Sequence, residues 1–386
     1  MVELRWLRWI GPGVVALGAV GIIVSTTLGV GGRPWTPRPC AGPPGDRVAA
    51  AGDPRPGGVK GMRGSPWFRL DPALNGEGAL RGQHLALGLG GDGTARTVDL
   101  AAESFAAGPF GGLILAGSDD GAVSRLRAID IARGCAWTIA EEDAVIRRAT
   151  IDPAGAAIYE MRVDRASRAD LGIWRRPLDS RAPAVLVLPP ITPDGRFGRT
   201  FATEFTWDLA GDRLAVQSCG ESACRTRVIS PRGGSAALLD DPNLGPIVGF
   251  DADRLVTYAS CRGLPCPIVS TDIGTGQRRV LAASPGVATV VATPDGARLV
   301  HEIGVESGRR LRSVTLDGDR IADLGSIPDD LSLHPSAVQA AAATRMPAGW
   351  VLLVPDGRLP ADGHPHRSQL RHVPGGTTVP LDEAVQ

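Results

Sequence analysis

Val290–Glu302 reads VVATPDGARLVHE. An apolar, β-branched run meets Pro294-Asp295-Gly296, and the chain leaves that turn on a second apolar run. Pro presets φ, Asp bonds nearby backbone and Gly accepts positive φ, so the reading is strand, tight turn, antiparallel strand. The phrase recurs as SFAAGPFGGLILAG from Ser104, ATIDPAGAAIYEM from Ala149, FTWDLAGDRLAVQS from Phe205, VGFDADRLVTYAS from Val248 and LSLHPSAVQAAAA from Leu331. The apolar residue just past each turn is Ile114, Ile158, Leu214, Leu255, Leu299 or Ala340, at intervals of 41 to 56 residues. The widest interval holds an insertion between Pro189 and Thr203 that contains ITPDGRFGR.

A second phrase follows at a near-constant offset: a strand ending in an apolar residue and Asp, then a Gly turn. It appears as RAIDIARG to Gly134, VSTDIGTG to Gly276 and SVTLDGD to Asp319, with RRPLDS to Ser180 a looser copy and RVISPRGG a departure. One more short strand comes after the turn, as in QRRVLA. Each unit thus holds four short strands in about 40–45 residues, the period of a β-propeller blade. A lone four-stranded sheet cannot bury both faces, but a ring of them can. The expected fold is all-β, a β-propeller of four-stranded blades. HLALGLG and ARTVDL near the start, and WVLLVP, QLRHVP and TTVPL near the end, are left over. They are expected to combine into one blade that closes the ring, giving seven blades, with six as the alternative.

TWDLAGDRLAV and VATPDGARLV resemble the repeats of TolB-type β-propellers, which are similar to WD repeats and read W-S-P-D-G-x-x-L-A. The resemblance covers most of residues 104–345, and Thr293 to Gly296 keeps the T/S-P-D-G core. It implies a propeller, often extracytoplasmic and often a platform for partners, and it identifies no site residue. TolB proteins carry a separate domain before the propeller where this chain has an apolar run and a Gly/Pro-rich stretch, so TolB's own role does not transfer.

That apolar run, Trp9 to Gly32, holds 24 residues without a charge. As a helix it would span ~36 Å, enough for a hydrocarbon layer of roughly 30 Å. It lacks an A-x-A site, so an uncleaved anchor is expected in preference to a cleaved signal. The expected division is a short N-terminus (1–8), an anchor (9–32), a Gly/Pro-rich linker (33–66) and the propeller (67–386). Flanking charge orients the anchor poorly: Arg5 and Arg8 oppose Arg33 and Arg38, and Glu3 dilutes the first pair.

The cysteines break that tie. Ser218–Cys224 reads SCGESAC and Ser260–Cys266 reads SCRGLPC. Both Cys-x4-Cys pairs fall between the second and third strand of a unit, so Cys219 faces Cys224 and Cys261 faces Cys266 across a hairpin mouth. Two disulfides are expected. A four-thiolate zinc site between neighbouring blades and free thiols are the alternatives, though structural zinc more often uses Cys-x2-Cys. Cys40 and Cys135 form a less supported third pair. Disulfides belong to oxidising compartments, which puts the propeller outside and the N-terminus in the cytoplasm.

The chain carries 41 basic and 41 acidic residues, which argues against a nucleic-acid binder. Gly88 to Gly93 matches G-x-G-x-x-G, but TARTVDL after it reads as a strand, so a hairpin turn is expected. Asp362, His364, His366 and His372 in PADGHPHRSQLRH are expected in a surface loop, and His334 in a repeat turn. Asp119-Asp120, Asp240-Asp241 and Asp329-Asp330 read as solvated turn carboxylates. No G-x-S-x-G elbow occurs.

These readings point to a single-pass cell-membrane protein whose extracytoplasmic propeller binds an envelope or cell-wall protein, with sensing of a small-molecule ligand also possible. No catalytic residue, metal or cofactor is assigned. The alternative is a lactonase-like, metal-assisted hydrolase with Glu204 and strand-end Asp residues in the central channel.

Overall fold

The computed structural model describes residues 36–40 and, with interruptions, 66–380, the longest interruptions being 191–200, 334–348 and 356–368. The expected anchor, residues 9–32, lies outside the described residues. Among the described residues there is no helix, and none long and apolar enough to cross a membrane.

The described strands form seven sheets in succession. Sheet I holds β2 (Pro66–Leu74), β3 (Leu80–Leu89) and β4 (Ala95–Leu100). Sheet II holds β5 (Glu103–Phe110), β6 (Leu113–Asp119), β7 (Ser124–Asp130) and β8 (Cys135–Glu142), plus β1 (Arg38–Pro39) added parallel to β8. Sheet III is β9 (Val145–Ile151), β10 (Ala157–Val163), β11 (Asp170–Pro177) and β12 (Val185–Leu188). Sheet IV is β13 (Phe201–Trp207), β14 (Leu214–Cys219), β15 (Cys224–Ile229) and β16 (Ala237–Asp240). Sheet V is β17 (Leu244–Asp251), β18 (Arg254–Ala259), β19 (Cys266–Asp272) and β20 (Arg278–Ser284). Sheet VI is β21 (Ala288–Thr293), β22 (Gly296–Val305), β23 (Gly308–Thr315) and β24 (Ile321–Ile327). Sheet VII is β25 (Leu331–Leu333), β26 (Trp350–Pro355), β27 (Gln369–His372) and β28 (Thr378–Pro380).

Sheets III to VII are simple antiparallel meanders in chain order. The expected mixed closing blade is not formed: β2–β4 and β25–β28 make separate sheets. The reason lies in Pro66–Leu74, PWFRLDPAL, not counted as a strand from the sequence. It gives the N-terminal pair a third partner of their own, while Leu331–Leu333 supplies the first strand that the C-terminal segments need.

The turn phrases act as their chemistry requires. Asp130, Asp272 and Asp317 each accept a backbone N–H two or three residues on, and Gly134, Gly276 and Gly318 stand at φ 65°, 71° and 78°. In the opening stretch Thr293 Oγ1 donates to Asp295 at 2.6 Å, and Gly296 takes φ 111°. A Cβ at Gly276 or Gly296 would meet nothing, so the backbone angle alone selects glycine there.

Side chains of the strands alternate between the preceding and the following sheet, as the period of two demands. Ile114 and Ala116 pack toward sheet I, while Leu113 and Leu115 pack toward sheet III. Leu214 and Val216 face sheet III, and Ala215 faces sheet V. Among the described residues six separate apolar clusters result, one between each successive pair of sheets. The first strands β2, β5, β9, β13, β17 and β21 touch one another in turn. At one such contact a Cβ on Gly249 would lie 2.5 Å from Val290 Cβ, so glycine lets β17 approach β21.

Candidate functional site

In a four-stranded meander, the hairpin joining strands two and three opens at the same end as the exit from strand four. Sheets II and III show this directly. Arg165, in the turn after β10, donates to both oxygens of Asp119 at the end of β6, at 2.7 and 2.9 Å. Its Nε reaches the carbonyl of Asp143, just past β8, at 3.0 Å. Ile146 N donates to Ser124 Oγ at 3.0 Å. By the same connectivity the ends of β12 at Leu188, β14 at Cys219, β18 at Ala259 and β26 at Pro355, and the starts of β15 at Cys224 and β19 at Cys266, lie at this end.

A buried charge cluster lies beneath this end, between sheets II and III. Glu160 is fully buried on β10, on the face that meets sheet II. It accepts from Arg162 Nε at 3.0 Å and Arg162 Nη2 at 2.6 Å, and from Arg176 Nε. Glu142, at the end of β8, takes the remaining donors: Arg162 Nη1 at 3.2 Å, Arg162 Nη2 at 2.9 Å, and Arg176. Burial works against the Arg176 charge, yet the carboxylates of Glu160 and Glu142 outweigh it and raise its pKa. The Arg162 guanidinium sits 4.8 Å from the Trp174 ring centroid. Two carboxylates and two guanidiniums offset one another's charge, so the cluster clamps two sheets.

Other buried polar groups are less complete. His301, on β22, contacts the Glu302 carbonyl through Nδ1 at 3.2 Å, and Nε2 has no partner. Burial lowers its pKa, which favours the neutral ring. Glu302 accepts from Leu333 N at 2.9 Å and so ties sheet VI to sheet VII. Arg227 donates to the carbonyl of Pro189, but its Nε and Nη2 have no partner, and burial lowers its pKa. Asp170 accepts from Gly172 N at 2.7 Å and leaves Oδ2 without a partner.

Cys40 and Cys135 are bonded, with Cα atoms 5.5 Å apart. Cys219 and Cys224 stand directly opposite in the β14–β15 register. Cys266 is disulfide-bonded, while Cys261 lies outside the described residues. No described cysteine is free. Gly88 pairs with Ala95 across the β3–β4 hairpin, as expected for a turn; residues 90–94 lie outside the described residues. His372 packs edge-on against Trp350, with ring centroids 5.2 Å apart. His334, Asp362, His364 and His366 lie outside the described residues. Glu204 on β13 faces Gln217 in register.

One reading needs correction. Asp119 is not a solvated turn carboxylate but a buried group. Burial pushes its pKa up, and Arg165 with the Gly121 N–H more than reverses this, so the net shift is downward. Asp120 accepts from Ala122 N, Val123 N and Arg125. Among the described residues no three of His, Cys, Asp and Glu stand together as a metal site. The sequence reading missed Glu160, Arg162 and Arg176. For Glu160 and Arg162 the signal was present: AIYEMRV puts charges on the face of a second strand where the other copies carry apolar or neutral polar residues.

No protein-family profile matches the chain, and no curated sequence does. Among solved structures it is similar to a prolyl endopeptidase, at 13% identity over 82% of this chain and 48% of that one, with a TM-score of 0.54. It is similar to oligopeptidase B from Leishmania major, at 9% identity over 84% of this chain and 49% of that one, with a TM-score of 0.52. TolB from Acinetobacter baumannii also matches, at 14% identity over 61% of this chain and 58% of that one, with a TM-score of 0.39. This chain spans about half the length of either peptidase. At these identities the likeness concerns fold alone, and the fold is that of β-propeller proteins.

Proposed function

We propose that this chain is a membrane-anchored, extracytoplasmic β-propeller of seven blades that serves as an interaction module. The end bearing the second-to-third-strand hairpins would meet an envelope or cell-wall protein, and a small ligand could be sensed at the same end. One observation carries the reading. Six described carboxylates and guanidiniums around the sheet II–III part of this end, with Asp120, Arg125 and Asp164 beside them, are committed to structure: Asp119 to Arg165, Glu142 and Glu160 to Arg162 and Arg176, Asp120 to Arg125, and Asp164 to Ser167. Such a surface is stiff and presents fixed loops, as a docking platform needs. The Cys40–Cys135 bond and the bonded Cys266 support an oxidising compartment. Contact between sheet VII and sheet I would close the ring.

The test is photo-crosslinking in intact cells from two positions. Ala166 is exposed in the hairpin after β10, and Thr275 is exposed at the opposite end, in the turn after β19. The reading expects one or a few specific proteins from Ala166 and none of them from Thr275. Recovery of the same abundant envelope proteins from both positions would overturn it.

A further inference from the structure

The Cys40–Cys135 bridge does more than join two loops. Cys135 opens β8, the outer strand of its own four-stranded meander, and is buried. Arg38 and Pro39 add to that outer edge in parallel, in register with Cys135 and Ala136. Cys40 N donates to Ala136 O at 3.0 Å, and Arg38 Nη2 to Arg133 O at 3.1 Å. The chain is therefore pinned to sheet II well before it enters β2 at Pro66.

The pin sets a length. From Gly32 to Arg38 is six residues, at most ~20 Å of extended chain. Without the pin the first fixed strand would begin at Pro66, 34 residues from Gly32, and the reach would be up to ~115 Å. Four strands of a sheet span only about 15 Å from first to last. A tether of ~20 Å thus selects which part of the ring lies nearest its origin. The described surroundings of the pin are cationic. Arg38 is exposed on β1, and Arg133 is exposed with Asp130 3.8 Å away as its only described ionic partner. Arg near a bilayer surface is attracted to anionic headgroups.

We infer that the outer edge of sheet II is a membrane-facing surface that takes anionic lipid headgroups, held there by the Cys40–Cys135 pin. The inference rests on the reading of residues 9–32 as a membrane anchor. The bridge converts a long leash into a short one, and the ring stands on one rim with its hairpin end turned sideways to the bilayer.

The test uses the full chain in phosphatidylglycerol vesicles, with a photo-crosslinking residue at Thr138, exposed on β8, or at Thr275, exposed beyond β19. Resistance to alkaline extraction reports the anchor separately. The expected result is roughly five-fold more lipid adduct from Thr138 than from Thr275, falling in phosphatidylcholine vesicles. Two variants should abolish the preference: Cys40→Ala with Cys135→Ala, and a Gly/Ser insert of about 20 residues after Gly32 that leaves the bridge intact. The insert keeps the test valid if loss of the bridge unfolds the sheet. An extractable chain would sink the anchor reading and this inference with it. An anchored chain with equal adducts from both positions, or a preference that survives the insert, would overturn the inference alone.

Discussion

Two wedges between neighbouring sheets start from the same repeat phrase and are filled differently. Between sheets VI and VII the filling is mainly apolar: Val300, Leu311, Leu331, Leu333, Val351 and Leu353 are all buried together, with Glu302 the buried charge beside them. Between sheets II and III the same kind of strand supplies Ile158 to an apolar cluster and then Glu160 and Arg162 to the ionic clamp. The apolar wedge gains from every methylene it hides and is indifferent to direction. The ionic wedge gains little net energy, because desolvation offsets attraction, but it penalises any other register. The comparison teaches that one fold can hold its units together by bulk in one place and by matching in another.

Breaking the ionic wedge should have the largest effect. Glu160→Ala leaves Arg162 and Arg176 buried with half their partners, and the expected loss is about 3–5 kcal/mol by chemical denaturation. Replacing Glu142 together with Glu160, Arg162 and Arg176 by apolar residues of similar volume should recover most of that loss. If the fourfold variant is as unstable as the single one, the matching account of this wedge is wrong.

In the apolar wedge, Leu353→Ala should cost about 2–4 kcal/mol, from lost transfer energy and the cavity left behind. A loss below about 1 kcal/mol would show that the wedge collapses around the gap and that bulk is not what holds it. The close approach at Gly249 offers a smaller lever. Gly249→Ala must push Val290, and a cost of about 1–3 kcal/mol is expected.

Acid should act first in a third wedge, between sheets V and VI, where His301 shares the face of Leu299. His301 has its pKa lowered by burial from the usual 6.5, so the unfolded chain binds its proton more readily than the folded one. Its contribution is intact above about pH 6.5 and is lost as pH falls toward the folded value. Asp119, lowered from 3.8 by Arg165, loses its contribution only at lower pH. A pH series of melting curves should therefore show acid loss beginning near pH 6, and His301→Leu should remove that first phase. The smallest effect is expected at the exposed pair Arg213–Asp253, where Asp253→Asn should change stability by less than about 1 kcal/mol and by less still in high salt.

Much of this was legible in the sequence because turns carry their own chemistry. Thr293-Pro294-Asp295-Gly296 and the Asp–Gly pairs near 272 and 317 mark strand ends through local bonds that need no tertiary context. Pro66–Leu74 was not legible, since its two prolines and two charges hide any alternation, and its pairing with β3 is a property of the partner. The clamp was half legible. Glu160 and Arg162 stand out in AIYEMRV, but Glu142 and Arg176 come from other strands, and their convergence depends on how two sheets meet. Asp119 misled because a turn residue is usually wet, and only the approach of Arg165 from the next unit buries it.

The parallel strap at Arg38–Pro39 also decides how the molecule bears load. A pull on the N-terminus enters through Cys40 and passes across a covalent bond into β8. β2 is then spared the peeling force that a free leading strand would feel. The force is delivered instead to β8, the outer strand of sheet II, which pairs with β7 and lends side chains to both neighbouring wedges. Under tension the first thing to yield should be a whole unit and not a single strand.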